Sequence, residues 1–244
     1  MISEEFIKDL SVKYQTSELN VRREYFQHVF LSYFYQQPKA ANIFFKGGTN
    51  LRLLHQSPRF SEDLDFNSAF INSREIEELI LDTLYQMEKE NIKFALKEAE
   101  KTSGGFLATV SFEGFDKPIV IQIEISQREE EKKGETVAVA NDYIPLYNVV
   151  SATESQLVFG KIRALLQRKK PRDFYDLYFI LRSRLAIPQK GEIMPKVIEA
   201  LKKKDDINFE KELKEFLPRS HWAIIRDFKQ TLEKEIQRFT GAAR

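Results

Sequence analysis

The pattern of apolar and polar positions predicts that α-helices and β-strands alternate in the first half of the chain. An apolar stripe at helical spacing predicts a helix over residues 4–37, which Pro38 ends. A second stripe predicts a helix over residues 74–90. Short or alternating apolar runs predict strands at 43–45, 63–66, 92–96, 106–112 and 118–126. The charged segment 128–135 predicts an exposed loop.

The second half of the chain has helical periodicity throughout. From Thr153 onward, apolar residues recur at helical spacing, with breaks predicted at Pro171, at 188–191 and at Pro218. We therefore expect an α/β (α+β) fold, in which a mixed sheet flanked by helices is followed by a helical C-terminal half. The predicted domains are residues 1–150 and 151–244.

Composition narrows the class of protein. With 244 residues, 20 Phe and 42% hydrophobic residues, the chain has ample material for a core. The lack of Cys excludes a disulfide framework and thiolate metal sites. The N-terminus has no apolar signal core, and no apolar run approaches the ~20 residues of a membrane span. We expect a cytoplasmic protein.

The net charge of +1 conceals an asymmetry between the two halves. Residues 1–150 contain 17 Lys and Arg against 24 Asp and Glu, a net charge of −7. Residues 151–244 contain 21 against 13, a net charge of +8. A basic half suits a polyanionic partner such as RNA, although it also suits packing against the acidic half.

Candidate chemistry begins at the turn after the strand predicted at 43–45. Gly47, Gly48 and Thr49 lie between that strand and an amphipathic segment, so their backbone N–H groups can bind phosphate. Asp63 and Asp65 follow, two residues apart in a predicted strand, so both carboxylates project from one face. They repel each other unless a cation such as Mg²⁺ lies between them. The alternative is that both acids are merely solvated.

Two later positions place charge among apolar residues. Glu124 occupies the second face of the alternating strand at 118–126, where a carboxylate suits a metal ligand or, alternatively, a solvated edge position. Lys161 falls inside a helical apolar stripe and must either extend to solvent or meet an anion. Asp173 and Asp176 follow Pro171, where acids near a helix N-terminus are ordinarily favoured.

These motifs resemble a known family. Gly48-Thr49, thirteen residues and then Asp63-x-Asp65 resemble the first motif of DNA polymerase β-like nucleotidyltransferases. The longer string from Lys46 to Phe66 resembles the AbiEii/AbiGii-type abortive-infection nucleotidyltransferase toxins, as does Lys161 followed by Arg172-Asp173-x-x-Asp176. The resemblance extends over about residues 43–181 and implies the nucleotidyltransferase fold.

The resemblance also implies roles for individual residues. It implies that Mg²⁺ is bound by Asp63, Asp65 and Glu124, with Glu124 also serving as general base. It implies that a nucleoside triphosphate contacts Lys46, Gly47, Gly48, Thr49 and Lys161, while Asp173 and Asp176 support the site or assist catalysis. At the third acid the family often has Lys-x-Asp, whereas this chain has Gln122-x-Glu124.

The implied reaction moves a nucleotide onto the hydroxyl of an RNA, for instance a tRNA 3′ end. A neutralising antitoxin is the implied protein partner. Two alternatives remain open from the sequence. One is transfer to a protein hydroxyl or a small molecule, and the other is a non-catalytic module that binds nucleotide or RNA.

Overall fold

The computed structural model describes residues 1–69, 72–128, 133–202 and 207–241. The chain divides into two compact units. The first unit comprises Met1–Gln56 and Phe60–Ala152, and the second comprises Ser57–Arg59 and Thr153–Arg244. Each unit has its own core.

A seven-stranded mixed sheet forms the centre of the first unit. Its strands are β1 (Ile43–Lys46), β2 (Leu64–Ser68), β3 (Phe94–Thr102), β4 (Gly105–Phe112), β5 (Ile119–Ser126), β6 (Gly134–Val139) and β7 (Tyr147–Ala152). Their order in the sheet is β3-β4-β5-β2-β1-β7-β6. The β2–β5 and β1–β7 pairs are parallel and the others are antiparallel. The predicted mixed sheet is confirmed.

One face of this sheet is covered by helices and the other is largely open at β5. The helices of the unit are α1 (Glu4–Lys13), α2 (Glu18–Phe34), α3 (Gly47–His55) and α4 (Ser73–Lys89), with a short 3-10 helix at Pro38–Asn42. Along β5, Ile119, Ile121, Ile123 and Ile125 are buried in the core, while Val120, Gln122 and Glu124 are exposed. Helix α2 contacts β5, and α4 contacts β3 and β4. The strict alternation that the sequence predicted at 118–126 is therefore observed.

The predicted helix over 4–37 is wrong in one respect, because it is two helices. Gln15 adopts a left-handed φ of 53° between α1 and α2. Ser17 then begins α2, since its side chain accepts a hydrogen bond from the backbone N–H of Asn20. Because Ser17 caps the start of α2, α1 does not continue into it. The apolar stripe at helical spacing therefore extends across two helices.

Two strands of the sheet were missed by the sequence analysis. The loop predicted at 128–135 overlaps the start of β6 at Gly134, while residues 129–132 lie outside the described part of the chain. Strand β6 is mostly exposed and pairs with β7, which was also not predicted. A short strand with little apolar alternation depends on its partner, and sequence periodicity does not reveal that partner.

The regular elements that the structure describes in the second unit are all helices, as predicted. Its α-helices are α5 (Glu154–Arg168), α6 (Pro171–Arg182), α7 (Lys190–Lys202), α8 (Phe209–Phe216), α9 (Trp222–Arg226) and α10 (Phe228–Thr240). Aromatic rings fill its core: the centroid of Phe228 lies 5.8 Å from that of Tyr175 and 4.9 Å from that of Phe209. Across the described ranges, no helix combines the length and the apolar character that a membrane span requires.

Candidate active site

A row of charged residues crosses three adjacent strands of the first unit. Asp65 on β2 is in register with Lys46 on β1 and with Glu124 on β5. Residues in register on adjacent strands project from the same face, with the strands about 4.8 Å apart. Lys46 and Asp65 are half-buried, and Glu124 is exposed. We call Lys46, Asp65 and Glu124 the charged row.

Gly47 brings the turn after β1 against this row. It has a left-handed φ of +87°, which favours glycine, and it begins α3. A Cβ at this position would lie 2.0 Å from Oδ2 of Asp65. Any larger residue would therefore displace the Asp65 carboxylate. The backbone at the N-terminus of α3 and the carboxylate of Asp65 are consequently held in direct contact.

The N-terminus of α3 is fixed by hydrogen bonds from its own side chains. The Thr49 hydroxyl donates to the backbone carbonyl of Asp63, the residue immediately before β2. Asn50 Nδ2 donates to the Phe45 carbonyl and to Ser151 Oγ, both at 2.9 Å. Thr49 and Asn50 are fully buried. Both residues hold α3 against the sheet, and the sequence analysis had overlooked Asn50 although it directly follows the Gly-Gly-Thr motif.

The charged row offers two carboxylates to a metal ion. Within the described ranges, no three His, Cys, Asp or Glu side chains are arranged to hold a metal ion. The structure brings Asp65 and Glu124 together, but it does not assemble them with Asp63 into a three-carboxylate cage. Nucleotide-associated Mg²⁺ is usually bound by one or two carboxylates together with substrate phosphates and water. The pair Asp65 and Glu124 fits that mode of binding.

In the second unit, Asp176 is the centre of a buried ion-pair cluster. Its carboxylate accepts from Arg59 Nε at 2.7 Å, from Arg59 Nη2 at 3.0 Å and from Lys161 Nζ at 2.7 Å. The side chains of Arg59 and Asp176 are only 4% and 2% exposed. Burial alone would raise the pKa of Asp176, but the two cations outweigh it and lower the pKa to about 2. Asp176 is therefore a bonded carboxylate at neutral pH.

This cluster supplies the anion that Lys161 requires within its apolar stripe. An ammonium group has three donors, and one of them is used by Asp176. The contact of Lys161 with nucleotide phosphate stays a prediction. Arg59, the second partner of Asp176, was not identified from the sequence, although it lies inside the motif string that carried the resemblance.

Asp173 caps a helix in this structure. It lies in the first turn of α6 and is 2% exposed. One carboxylate oxygen accepts from the Lys170 backbone N–H at 3.2 Å, and the other accepts from Arg168 Nη2 at 2.7 Å. The ordinary structural explanation for an acid after Pro171 thus accounts for its contacts, while a catalytic role for Asp173 or Asp176 stays a prediction.

Comparisons with known proteins extend this picture. A family model described as nucleotidyl transferase AbiEii toxin, type IV toxin–antitoxin system, matches residues 29–241. No curated protein matches the chain.

Three solved structures share the fold. MenT4, a nucleotidyltransferase toxin from Mycobacterium tuberculosis H37Rv, is 16% identical with a TM-score of 0.65, over 98% of this chain and 93% of that one. JHP933 from Helicobacter pylori is 18% identical with a TM-score of 0.62, over 93% and 94% of the two chains. A putative nucleotidyltransferase from H. pylori is 20% identical with a TM-score of 0.59, over 93% and 95%.

Proposed function

Because the chain belongs to the AbiEii family of nucleotidyltransferase toxins of type IV toxin–antitoxin systems, as its motifs predicted, we propose that it transfers a nucleotide to an RNA hydroxyl with Mg²⁺. Family membership makes the chain a nucleotidyltransferase, with a nucleoside triphosphate as substrate, a divalent metal as the implied cofactor and an antitoxin as the implied partner. The identity of the metal and the class of the acceptor are the parts that we propose.

The observation that supports this function most strongly is the contact between the charged row and the N-terminus of α3. Gly47 places backbone N–H groups and a helix dipole beside the Asp65 carboxylate. Glu124 lies in register on the next strand. A phosphate-binding turn beside two carboxylates matches the needs of a metal-bound triphosphate.

We assign roles to the row on this basis. Asp65 and Glu124 would hold Mg²⁺, which when bound would neutralise charge on the phosphates. The part of Asp63 in binding the metal stays a prediction. The first N–H groups of α3 bind the triphosphate, and Lys46 at the end of the row balances its negative charge. Glu124 is exposed and accepts the proton of the attacking hydroxyl.

The RNA acceptor is supported by charge. Residues 151–244 have a net charge of +8, whereas residues 1–150 have a net charge of −7. A strongly basic segment favours a polyanionic acceptor over a protein or a small neutral molecule.

The function is tested by labelling. Wild-type protein is incubated with each α-³²P-labelled nucleoside triphosphate and Mg²⁺, in parallel with total RNA and with total protein. The expected result is that the RNA fraction becomes labelled. Ribonuclease should remove this label, and EDTA should prevent its incorporation. Label that appears only in the protein fraction would contradict the RNA acceptor, and label in neither fraction would contradict the transfer itself.

A further inference from the structure

The outer face of α5 combines an exposed aromatic ring with an exposed cation. Phe159 is 57% exposed, and it is the one exposed large hydrophobic side chain within the described residues of the second unit. Arg163 follows one helical turn later and is also exposed. Residues i and i+4 share a face of a helix, so the ring and the guanidinium are neighbours. Lys161 projects from a different face, toward Asp176.

Gly160 leaves open space beside the ring. It lies in the interior of α5, where glycine weakens a helix relative to alanine. Its φ is not left-handed, and an added Cβ would meet no atom within 4 Å. Neither the backbone nor packing within the described chain therefore requires glycine here. What the residue provides is room for a flat group to approach the helix next to Phe159.

The charge on this face favours an anionic partner. The Arg163 guanidinium forms no ion pair with any described residue, so its charge is available to a ligand. An exposed cation beside an exposed aromatic ring is typical of surfaces that bind single-stranded nucleic acid.

We propose that Phe159, Gly160 and Arg163 form a stacking site for an unpaired base of the RNA acceptor. The base stacks on the Phe159 ring and covers Gly160, and Arg163 bonds to a neighbouring phosphate. This inference rests on the RNA acceptor proposed above. The inference names the surface that binds a single-stranded segment of the RNA and the residues that contact this segment.

The first test measures binding of a fluorescent single-stranded oligoribonucleotide by anisotropy. Phe159→Leu should weaken binding about 5- to 100-fold, because one base–aromatic stack is lost. Phe159→Trp should retain or strengthen it, since indole also stacks. The matched control is Tyr85→Leu, which removes an aromatic ring that is 51% exposed on α4 of the other unit. That control should bind like the wild type.

Two further variants separate stacking from general stability. Gly160→Ala should raise the unfolding temperature, because alanine favours the helix, and yet weaken RNA binding, because the methyl group occupies the space of the base. Arg163→Gln should reduce the slope of log affinity against log salt by about one phosphate contact. A purely structural role for this face would not produce that combination.

The outcomes distinguish this inference from the function on which it rests. If the wild type binds and labels RNA while Phe159→Leu and Gly160→Ala bind it equally well, the stacking site is wrong and the RNA acceptor stands. If the wild type neither binds nor labels RNA, both are wrong. If Phe159→Leu binds RNA normally but loses binding to a protein partner, the face is a protein-docking surface and the inference fails.

Discussion

The two units of the molecule use their carboxylates in opposite ways. In the first unit, Asp65 is half-buried and Glu124 is exposed, and both project from the open face of the sheet. In the second unit, Asp173 and Asp176 are each 2% exposed and bound to cations. An exposed carboxylate can exchange water for a ligand at little cost, whereas a buried paired one cannot leave its partner without a large penalty.

This contrast teaches that the spacing of acids along the sequence does not reveal their role. Asp63-x-Asp65 and Asp173-x-x-Asp176 both fall in motifs that resemble the family, yet their surroundings differ completely. We infer that the chemistry belongs to the charged row of the sheet and that the acids of α6 hold the helical unit together.

The largest expected effect is a fall in the rate of nucleotide transfer when one carboxylate of the charged row is neutralised. Asp65→Asn keeps the shape of the side chain but removes a metal ligand, so the transfer rate should fall on the order of 1000-fold. The unfolding temperature should not fall, because repulsion with Glu124 is relieved. Initial rates of label incorporation and thermal unfolding are the measurements. Glu100→Gln, an exposed acid on β3, is the control and should be fully active.

For Asp176 we expect a loss of stability, in contrast to the loss of transfer expected for Asp65. Asp176→Asn removes the charge that Asp176 supplies to Arg59 and Lys161, which should cost about 3–5 kcal/mol of unfolding free energy. Calorimetry should show an unfolding temperature roughly 10 °C lower. Adding Arg59→Met to Asp176→Leu should recover part of that loss, because an apolar pair replaces the broken ion pair. A stable but inactive Asp176→Asn would instead indicate a catalytic carboxylate.

Acid should remove the contribution of His28 to stability before it removes that of Asp176. His28 bonds to Tyr147 Oη at 2.8 Å, and burial lowers its pKa from 6.5 to about 4 despite the nearby Glu24. As pH falls, His28 is therefore protonated in the unfolded chain before it is protonated in the folded protein. The contribution of neutral His28 to stability is present above pH 6.5 and is lost as pH falls toward 4. The lowered pKa of His28 corresponds to about 3 kcal/mol of unfolding free energy. For Asp176 the loss begins below 3.8 and continues to about 2.

Unfolding free energies measured in urea across this pH range test the order of the two losses. His28→Gln should flatten the curve between pH 6.5 and 4 without changing the part below 3.8. A curve of unchanged slope in His28→Gln would show that another group is responsible for the upper part.

The smallest effect is expected at Asp173. Asp173→Ala removes the acceptor of the Lys170 backbone N–H in the first turn of α6 and the partner of Arg168, and should cost about 1–2 kcal/mol. Asp173→Ser retains a capping oxygen and should recover much of that loss. Both variants should transfer nucleotide at the wild-type rate per folded molecule. If Asp173→Ser is stable but inactive, the catalytic role implied by the resemblance is correct and the division between the units fails at this residue.

Local patterns predicted much of the fold. The alternation of Ile119, Ile121, Ile123 and Ile125 predicted β5 and placed Glu124 on its second face, because burial of one face imposes a period of two. The exposure of Glu124 was seen only in the structure. The helical second half followed from its periodicity and prolines. The break at Gln15 and the strands β6 and β7 were missed, because a cap and a pairing partner decided them rather than an apolar pattern.

The candidate site was predictable only as a set of residues. The motifs indicated Lys46, Asp65 and Glu124, but their common register depends on pairing between strands that are far apart in sequence. The Arg59–Asp176 bond joins residues 117 positions apart, and a single sequence contains no signal for that contact. Burial is likewise a tertiary property, so the bonded state of Asp173 and Asp176 was visible only in the structure.

One pair of variants on β5 tests the central claim most directly. Gln122 and Glu124 are both exposed on the same face of this strand, two residues apart. The measurement is the Mg²⁺-dependent transfer rate of Glu124→Gln beside that of Gln122→Ala, with unfolding temperatures determined on the same samples. We predict that Glu124→Gln loses transfer while Gln122→Ala retains it, with neither variant destabilised. Wild-type transfer by a folded Glu124→Gln protein would contradict the assignment of the chemistry to the charged row.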